Sequence, residues 1–114
     1  MSLNPIKAEK NLEFKNKSYK ARMSLDTILR VEEAVGCSIL KLGQKLATGD
    51  LTTSETINVL HLCIRAGGND VSINEIKEHV SGVGLVEAIK MTGELLTVAL
   101  STEDSEPSEK KSND

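Results

Sequence analysis

The hydrophobic positions along the chain follow two rhythms. From Leu12 to Met23 the segment LEFKNKSYKARM alternates: Leu12 and Phe14 lie on one run and Tyr19, Ala21 and Met23 on the next, with Asn16-Lys17 placed to make the reversal. This predicts a β-hairpin over residues 12–23. Two strands are marginal on their own in water, so the apolar face of the ribbon must lie on helices.

From Leu25 onward the period becomes helical. Ser24 is placed as an N-cap and Gly36 as a left-handed C-terminal residue, giving a first helix over about 25–35. Ser38 caps a second helix over about 39–48, carrying Ile39, Leu40, Leu42 and Leu46 and ended by Gly49. Thr52-Thr-Ser-Glu55 has capping-box spacing and opens a third helix, 53–66, stopped by Gly67-Gly68. The apolar residues of this third helix, from Ile57 to Ala66, nearly encircle its axis, as in a central helix. A second capping box, Ser72-Ile-Asn-Glu75, with Val71 positioned to staple onto Ile76, starts a short helix over 73–81 that breaks at Ser81-Gly82-Val83-Gly84. A last helix, 85–100, is apolar over more than half its circumference. Residues 1–11 read as a flexible polar lead. Residues 101–114, STEDSEPSEKKSND, have no apolar periodicity and read as a disordered acidic tail. The fold class that follows is α+β, mostly α: an N-terminal hairpin packed on a bundle of four to five short helices in one domain over 12–100.

One residue breaks the pattern. At about 100° per residue, Leu25, Ile28, Leu29, Val31 and Val35 share an arc of the first helix, and Glu32 falls near its centre. A buried ionised acid without partners costs several kcal/mol, so Glu32 must be satisfied. The nearest donors are the N–H groups that open the second helix after the reversal at Gly36, where a negative charge also suits the helix dipole. Glu32, Gly36 and Ser38 are therefore read as a structural clasp between two helices, in preference to an ion pair of Glu32 with Lys20 or Arg22 and to a catalytic role.

Composition narrows the classes. The 114 residues hold 39% hydrophobic side chains but only two aromatics, Phe14 and Tyr19, so the core must be aliphatic. No apolar run reaches the length of a membrane span, and MSLNPIKAEK lacks the apolar segment of a signal peptide, which predicts a cytoplasmic protein. Cys37 and Cys63 are then expected as free thiols acting as small buried hydrophobes. The formal charge is −3 and uneven: residues 7–22 hold six Lys/Arg against two Glu, and residues 103–114 hold five acids against two Lys. The net charge argues against a general nucleic-acid binder. A basic hairpin bearing Lys15, Lys17, Lys20 and Arg22 keeps nucleic acid as a minor reading, because aromatic stacking surfaces are nearly lacking.

Sites for catalysis are hard to assemble. His61, Cys63, His79 and Cys37 are residue types that zinc accepts, but His61 and Cys63 diverge by about 200° on one helix and no ligand spacing recurs. GVGL is too short to be a phosphate loop and reads as a helix-breaking turn. Glu32-Glu33 point about 100° apart and cannot act as a paired acid and base. No nucleophile stands with a base. The expectation is a non-enzymatic protein with no metal and no cofactor.

Taken in order, the elements form a recognisable series: "L-x-F…K-S-Y-K-A-R", then "S-L-D-T-I-L-R-V-E-E-A-V-G-C-S-I", an "L-A-T-G-D" helix end, an apolar helix closed by "R-A-G-G-N-D-V-S-I-N-E-I", and a final "G-L-V-E-A-I" helix. This series resembles the small tail protein of gene transfer agents and related prophages, a family described both as a tail tube protein and as a phage tail assembly chaperone. The resemblance covers about residues 12–100, and its most telling positions are Tyr19, Glu32, Gly36, Ser38-Ile39, Gly49 and the Ser72–Ile76 helix start. Many relatives carry a glycine in the strand turn, where this chain has Asn16-Lys17-Ser18.

The resemblance implies a role in building a phage-like tail. The first reading is a tail assembly chaperone that coats the tape measure protein until the tube subunits polymerise. The second is a structural tail tube subunit, which would place the chain in the virion tail instead of the bacterial host cytoplasm. Tape measure protein, tail tube protein and further copies of the chain are the implied partners. The wide apolar faces of the third and fifth helices suit client binding or self-association, with Ile57, Leu60, Ile64, Leu95, Leu96 and Val98 as the candidate contacts.

Overall fold

The computed structural model describes residues 9–104. The chain forms a two-stranded hairpin, β1 (Glu9–Glu13) and β2 (Ser18–Arg22), followed by five helices: α1 (Leu25–Val35), α2 (Ile39–Thr48), α3 (Thr53–Ala66), α4 (Ile73–Val83) and α5 (Leu85–Asp104). The class is α+β, mostly α. The parts of the expected flexible lead and acidic tail that fall on residues 1–8 and 105–114 lie outside the described residues.

The hairpin starts earlier than the apolar alternation indicates. Glu9 pairs with Arg22 and Lys10 with Ala21, so Glu9 to Asn11, expected within the lead, are strand. Only β2 carries alternation along its whole length, with Tyr19 and Ala21 buried; β1 is polar until Leu12 and is held by the ladder it shares with β2. The reversal is also displaced by one residue. Phe14 N–H donates to the Lys17 carbonyl at 2.8 Å, which centres the turn on Lys15-Asn16 rather than Asn16-Lys17.

Helix boundaries follow cap chemistry. Ser24, Ser38, Thr52 and Ser72 each accept from the backbone N–H three residues on, and Thr52/Glu55 and Ser72/Glu75 form complete capping boxes. α1 and α2 end on Gly36 (φ 79°) and Gly49 (φ 78°), a conformation that costs other residues the Cβ clash glycine lacks. α4 runs through Ser81 and Gly82 to Val83 and stops only at Gly84, where φ reaches 96°; a lone glycine lowers helix propensity by about 1 kcal/mol without breaking the helix. α5 continues to Asp104, past the last apolar residue of its periodic pattern.

α3 lies at the centre, against β2, α1, α4 and α5, with Val59, Leu60, Cys63 and Ile64 fully buried. Around it close Leu12, Met23, Val31, Leu42, Ile76, Leu95 and Leu96, an aliphatic core in which each side chain contributes about 1.5–3 kcal/mol by leaving water. α2 packs on α5 through small residues: a Cβ added at Gly93 would meet Leu46 at 3.1 Å, and one at Gly43 would meet Leu100 at 3.5 Å. The two helices therefore run antiparallel, with the C-terminal end of α5 beside the N-terminal end of α2.

The hairpin is fixed to α3 by a close approach at Gly67. A Cβ there would lie 1.9 Å from the Lys20 carbonyl oxygen. That oxygen accepts from the Asn69 side-chain amide at 2.9 Å, and the same amide donates to the Ile64 carbonyl at 3.0 Å. On its other side the hairpin reaches α4: Tyr19 Oη is hydrogen-bonded to His79 Nε2 at 2.9 Å, and Phe14 stacks on the His79 ring at a centroid distance of 5.0 Å.

Candidate functional site

The acid on the apolar side of α1 sits at a corner of the fold. Glu32 Oε2 accepts from Ile39 N–H at 2.8 Å, one of the donors left open at the start of α2. Gly36 makes the reversal between the helices, donating its own N–H to the Glu32 carbonyl at 2.9 Å, and Ser38 Oγ caps Lys41 N–H at 3.0 Å. One residue thus ends α1 with its carbonyl and begins α2 with its carboxylate. Lys20 is paired elsewhere, 3.9 Å from Glu9, and neither it nor Arg22 is hydrogen-bonded to Glu32.

The arc around Glu32 is not buried as its periodicity suggests. Ile28 and Val31 enter the core with Thr27, while Leu25 is 72% and Leu29 57% exposed. The core direction of α1 passes between positions 27, 28 and 31, which leaves Leu25 and Leu29 beyond the edge of the contact. Leu40, next to the residue that Glu32 holds, is 61% exposed. Leu25 and Leu29 on α1 and Leu40 at the start of α2 are therefore left in water, as are Leu85 and Val86 at the start of α5, exposed by 41% and 82%.

A second helix-to-helix tie joins α2 to α3. Lys45 Nζ donates to Glu55 Oε2 at 2.6 Å, and Glu55 Oε1 accepts from Thr52 N–H at 2.9 Å. Burial works to raise the Glu55 pKa, but the Lys45 and Thr52 hydrogen bonds and the Lys45 charge outweigh it, leaving the carboxyl below its ordinary range.

The expected client surface on α3 and α5 is largely inside the domain. Leu60, Ile64 and Leu95 have no exposed surface and Leu96 has 1%, because α3 is packed from several sides and α5 closes over it. Ile57 and Val98 are half-buried against the same core. Val98 borders a mainly apolar cleft of about 440 Å³ between α2 and α5, together with Leu46, Ile89 and Gly93. The available apolar surface lies mainly on α1, α2 and the start of α5. The sequence signal that marks it is phase: Leu25 and Leu29 are one turn apart and both off the line of Thr27 and Val31.

The basic hairpin residues lie in the turn and on the outer face of β2. Lys15, Lys17, Lys20 and Arg22 are all exposed, with Lys15 in the turn and Lys17 5.7 Å from the centre of the Tyr19 ring. The residues weighed as metal ligands have separate duties. His61 Nε2 is 3.1 Å from the Val71 carbonyl oxygen, and His79 belongs to the aromatic contact with the hairpin. Both histidines are half-buried. Cys63 is buried with its thiol against Met23, and burial pushes that thiol up to about 12; Cys37 is only half-buried. Among the described residues, no group of three or more His, Cys, Asp or Glu is placed to hold a metal ion.

No helix among the described residues is long and apolar enough to cross a membrane. Residues 7–102 match the family described as "Phage tail tube protein, GTA-gp10", which covers most of the chain and nearly all of the described fold. No curated protein and no solved structure matches the chain. The chain belongs to this phage tail protein family, whose name is that of a structural tail component and not of an enzyme.

Proposed function

We propose that this member of the tail tube family acts in tail morphogenesis as a chaperone-like binding protein, holding an amphipathic segment of another tail protein, such as the tape measure protein, before the tube forms. The observation that carries the reading is the apolar surface left in water on α1 and α2: Leu25 and Leu29 one turn apart on α1, and Leu40 at the start of α2. Leucines spaced one turn apart on a helix match the i, i+4 anchors by which one amphipathic helix receives another. Partner contact removes such surface from water, with about 25 cal/mol of favourable free energy per Å² covered.

The family name favours a second reading, a structural subunit of the tube. In its support, self-association through the same leucines would equally cover them. Against it stands the small amount of β structure among the described residues: two strands of five residues each, where a continuous sheet around a ring would need more pairing edge.

Quantitative mass spectrometry of purified particles separates the two. A chaperone is recovered in traces and co-purifies from cell extracts with tape measure segments, a capture that Leu25→Ser/Leu29→Ser abolishes. Recovery in amounts comparable to the major tail protein overturns the chaperone reading and installs the structural one.

A further inference from the structure

α1 presents two parallel strips to solvent. Leu25 and Leu29 form one; Asp26 and Arg30, each one residue later, form the other about 100° round the helix. Both strips turn away from Thr27, Ile28 and Val31, which enter the core. Arg30 does not stand alone. With Arg22 at the end of β2 and Arg65 in the last turn of α3, it lines one polar cleft of about 360 Å³ that also includes Asp26. The charges there are only partly answered. Arg30 Nε donates to Asp26 at 3.1 Å, and Arg65 stands 3.9 Å from the exposed Asp70. Arg22 has no hydrogen bond or ion pair among the described residues. The wall thus gathers three guanidinium groups against one carboxylate, in a protein whose formal charge is −3.

An excess of guanidinium groups in a cleft is a receptor for an anion, and their forks match carboxylates with paired hydrogen bonds. The surroundings limit how much anion the cleft takes. Asp26 lies in the wall, Asp70 beside Arg65, and the exposed Glu33 one turn further along α1. A strand of phosphates would run onto these acids, whereas one or two carboxylates fit between them. The distance to the leucines is short. On a helix about 10 Å across, strips 100° apart lie about 8 Å from each other, less than the width of a second helix laid along α1. One such helix therefore covers Leu25 and Leu29 and reaches the arginines with the side chains at its edge.

We propose that the Arg22–Arg30–Arg65 cleft selects the client: the segment received on Leu25 and Leu29 is an amphipathic helix of another protein that carries acidic residues beside one turn of its apolar stripe, and these enter the cleft. The inference rests on the reading of Leu25 and Leu29 as a client surface and adds the chemistry by which one amphipathic helix is told from another. The leucines bind any helix of suitable apolar spacing, and the arginines reward acids and repel bases at its edge.

The test titrates the full-length chain into two fluorescent model peptides of about eighteen residues, long enough to form a helix on contact. Both carry the same leucine stripe of i, i+4 spacing, with either two Glu or two Lys beside one of its turns. At low salt the Glu peptide is expected to bind about tenfold more tightly than the Lys peptide, and raised salt to shrink the difference. The overall field of a protein of charge −3 imposes the opposite order, so the sign of the preference reports the cleft. Arg22→Gln/Arg65→Gln should remove the preference without weakening the Lys peptide. Lys15→Gln/Lys17→Gln, an equal loss of charge at the exposed hairpin turn, should leave it in place. Leu25→Ser/Leu29→Ser should abolish binding of both peptides. All the substituted side chains are exposed, and unchanged circular dichroism confirms that the variants fold. Equal binding of the two peptides, a preference for Lys, or a Glu preference that survives the arginine changes overturns the inference and leaves the client reading standing. Binding of neither peptide, or Glu binding that survives loss of the leucines, overturns the client reading and the inference with it. A short single-stranded oligonucleotide that binds through the same arginines more tightly than the Glu peptide assigns the cleft to nucleic acid and also overturns the inference.

Discussion

Two junctions hold the elements of this domain in place, and they work by opposite means. Where β2 meets the end of α3, backbone touches backbone: Gly67 leaves no room for a Cβ against the Lys20 carbonyl, and Asn69 bonds that same oxygen. Where α1 meets α2, one flexible carboxylate spans the gap to a single N–H, and leucines stand exposed beside it. The first junction is closed by shape and tolerates nothing added. The second is held by a polar tie and leaves its apolar surroundings open. A small domain with few aromatic residues thus spends its tightest packing on seating the hairpin and leaves apolar surface in water at its most adaptable corner.

The largest effect is expected at the closed junction. Gly67→Ala must push the hairpin off α3, because the neighbour it meets is backbone and cannot rotate away. Overpacking of this kind should destabilise by about 3 kcal/mol, lowering Tm by more than about 10 °C. A variant that melts with the wild type would show that the junction yields and would dissolve the contrast. At the open corner, Glu32→Ala should cost about 1–3 kcal/mol by leaving Ile39 N–H without its partner, and Glu32→Gln, which keeps an acceptor, should cost less. Denaturant titration of the two variants ranks them; equal losses would mean that the negative charge, and not the hydrogen bond, makes the tie.

The Lys45–Glu55 tie lies between these extremes and is sensitive to acid. Because the folded-state pKa of Glu55 is below the ordinary value of 4.5, its contribution is complete above that value and is lost as pH falls through the lower one. Glu55→Gln should therefore flatten the fall in stability below about pH 4.5, as read from melting curves across that range, while its effect at pH 7 reflects the lost ion pair and capping box. A wild-type acid transition reproduced in full by Glu55→Gln would assign it to other carboxylates. The smallest effect on stability belongs to the leucines. Leu25→Ser/Leu29→Ser should shift stability by no more than about 0.5 kcal/mol per site, since neither side chain is packed in the core. A larger loss would place these residues in the structural part of the molecule.

These contrasts explain which features could be read from the sequence. Caps are local: Thr52 with Glu55 and Ser72 with Glu75 satisfy donors within one turn, so four helix starts were legible without knowing what packs where. Glu32 was legible for the same reason, since its partner is seven residues away across a reversal fixed by Gly36. β1 began earlier than expected because Glu9 to Asn11 take their conformation from β2 and carry no apolar signal of their own. The apolar helices α3 and α5 could not be divided into core and surface, because residues all around an axis give no phase; only packing decides that Leu60 and Leu95 are inside. The demand at Gly67 depends on a contact with Lys20, more than thirty positions away, and no local pattern announces it.

The aromatic contact between the hairpin and α4 has an optical consequence. Tyr19 is the chain's single tyrosine, and tryptophan is lacking. Its ring lies edge-on to Phe14 and its hydroxyl is bound to His79, with burial and the nearby Glu75 charge holding its pKa above the ordinary value. Near-ultraviolet absorption and intrinsic emission therefore come almost wholly from one ring, placed where the ribbon of residues 9–22 meets α4. An unlabelled sample carries a spectroscopic gauge of whether the hairpin is seated.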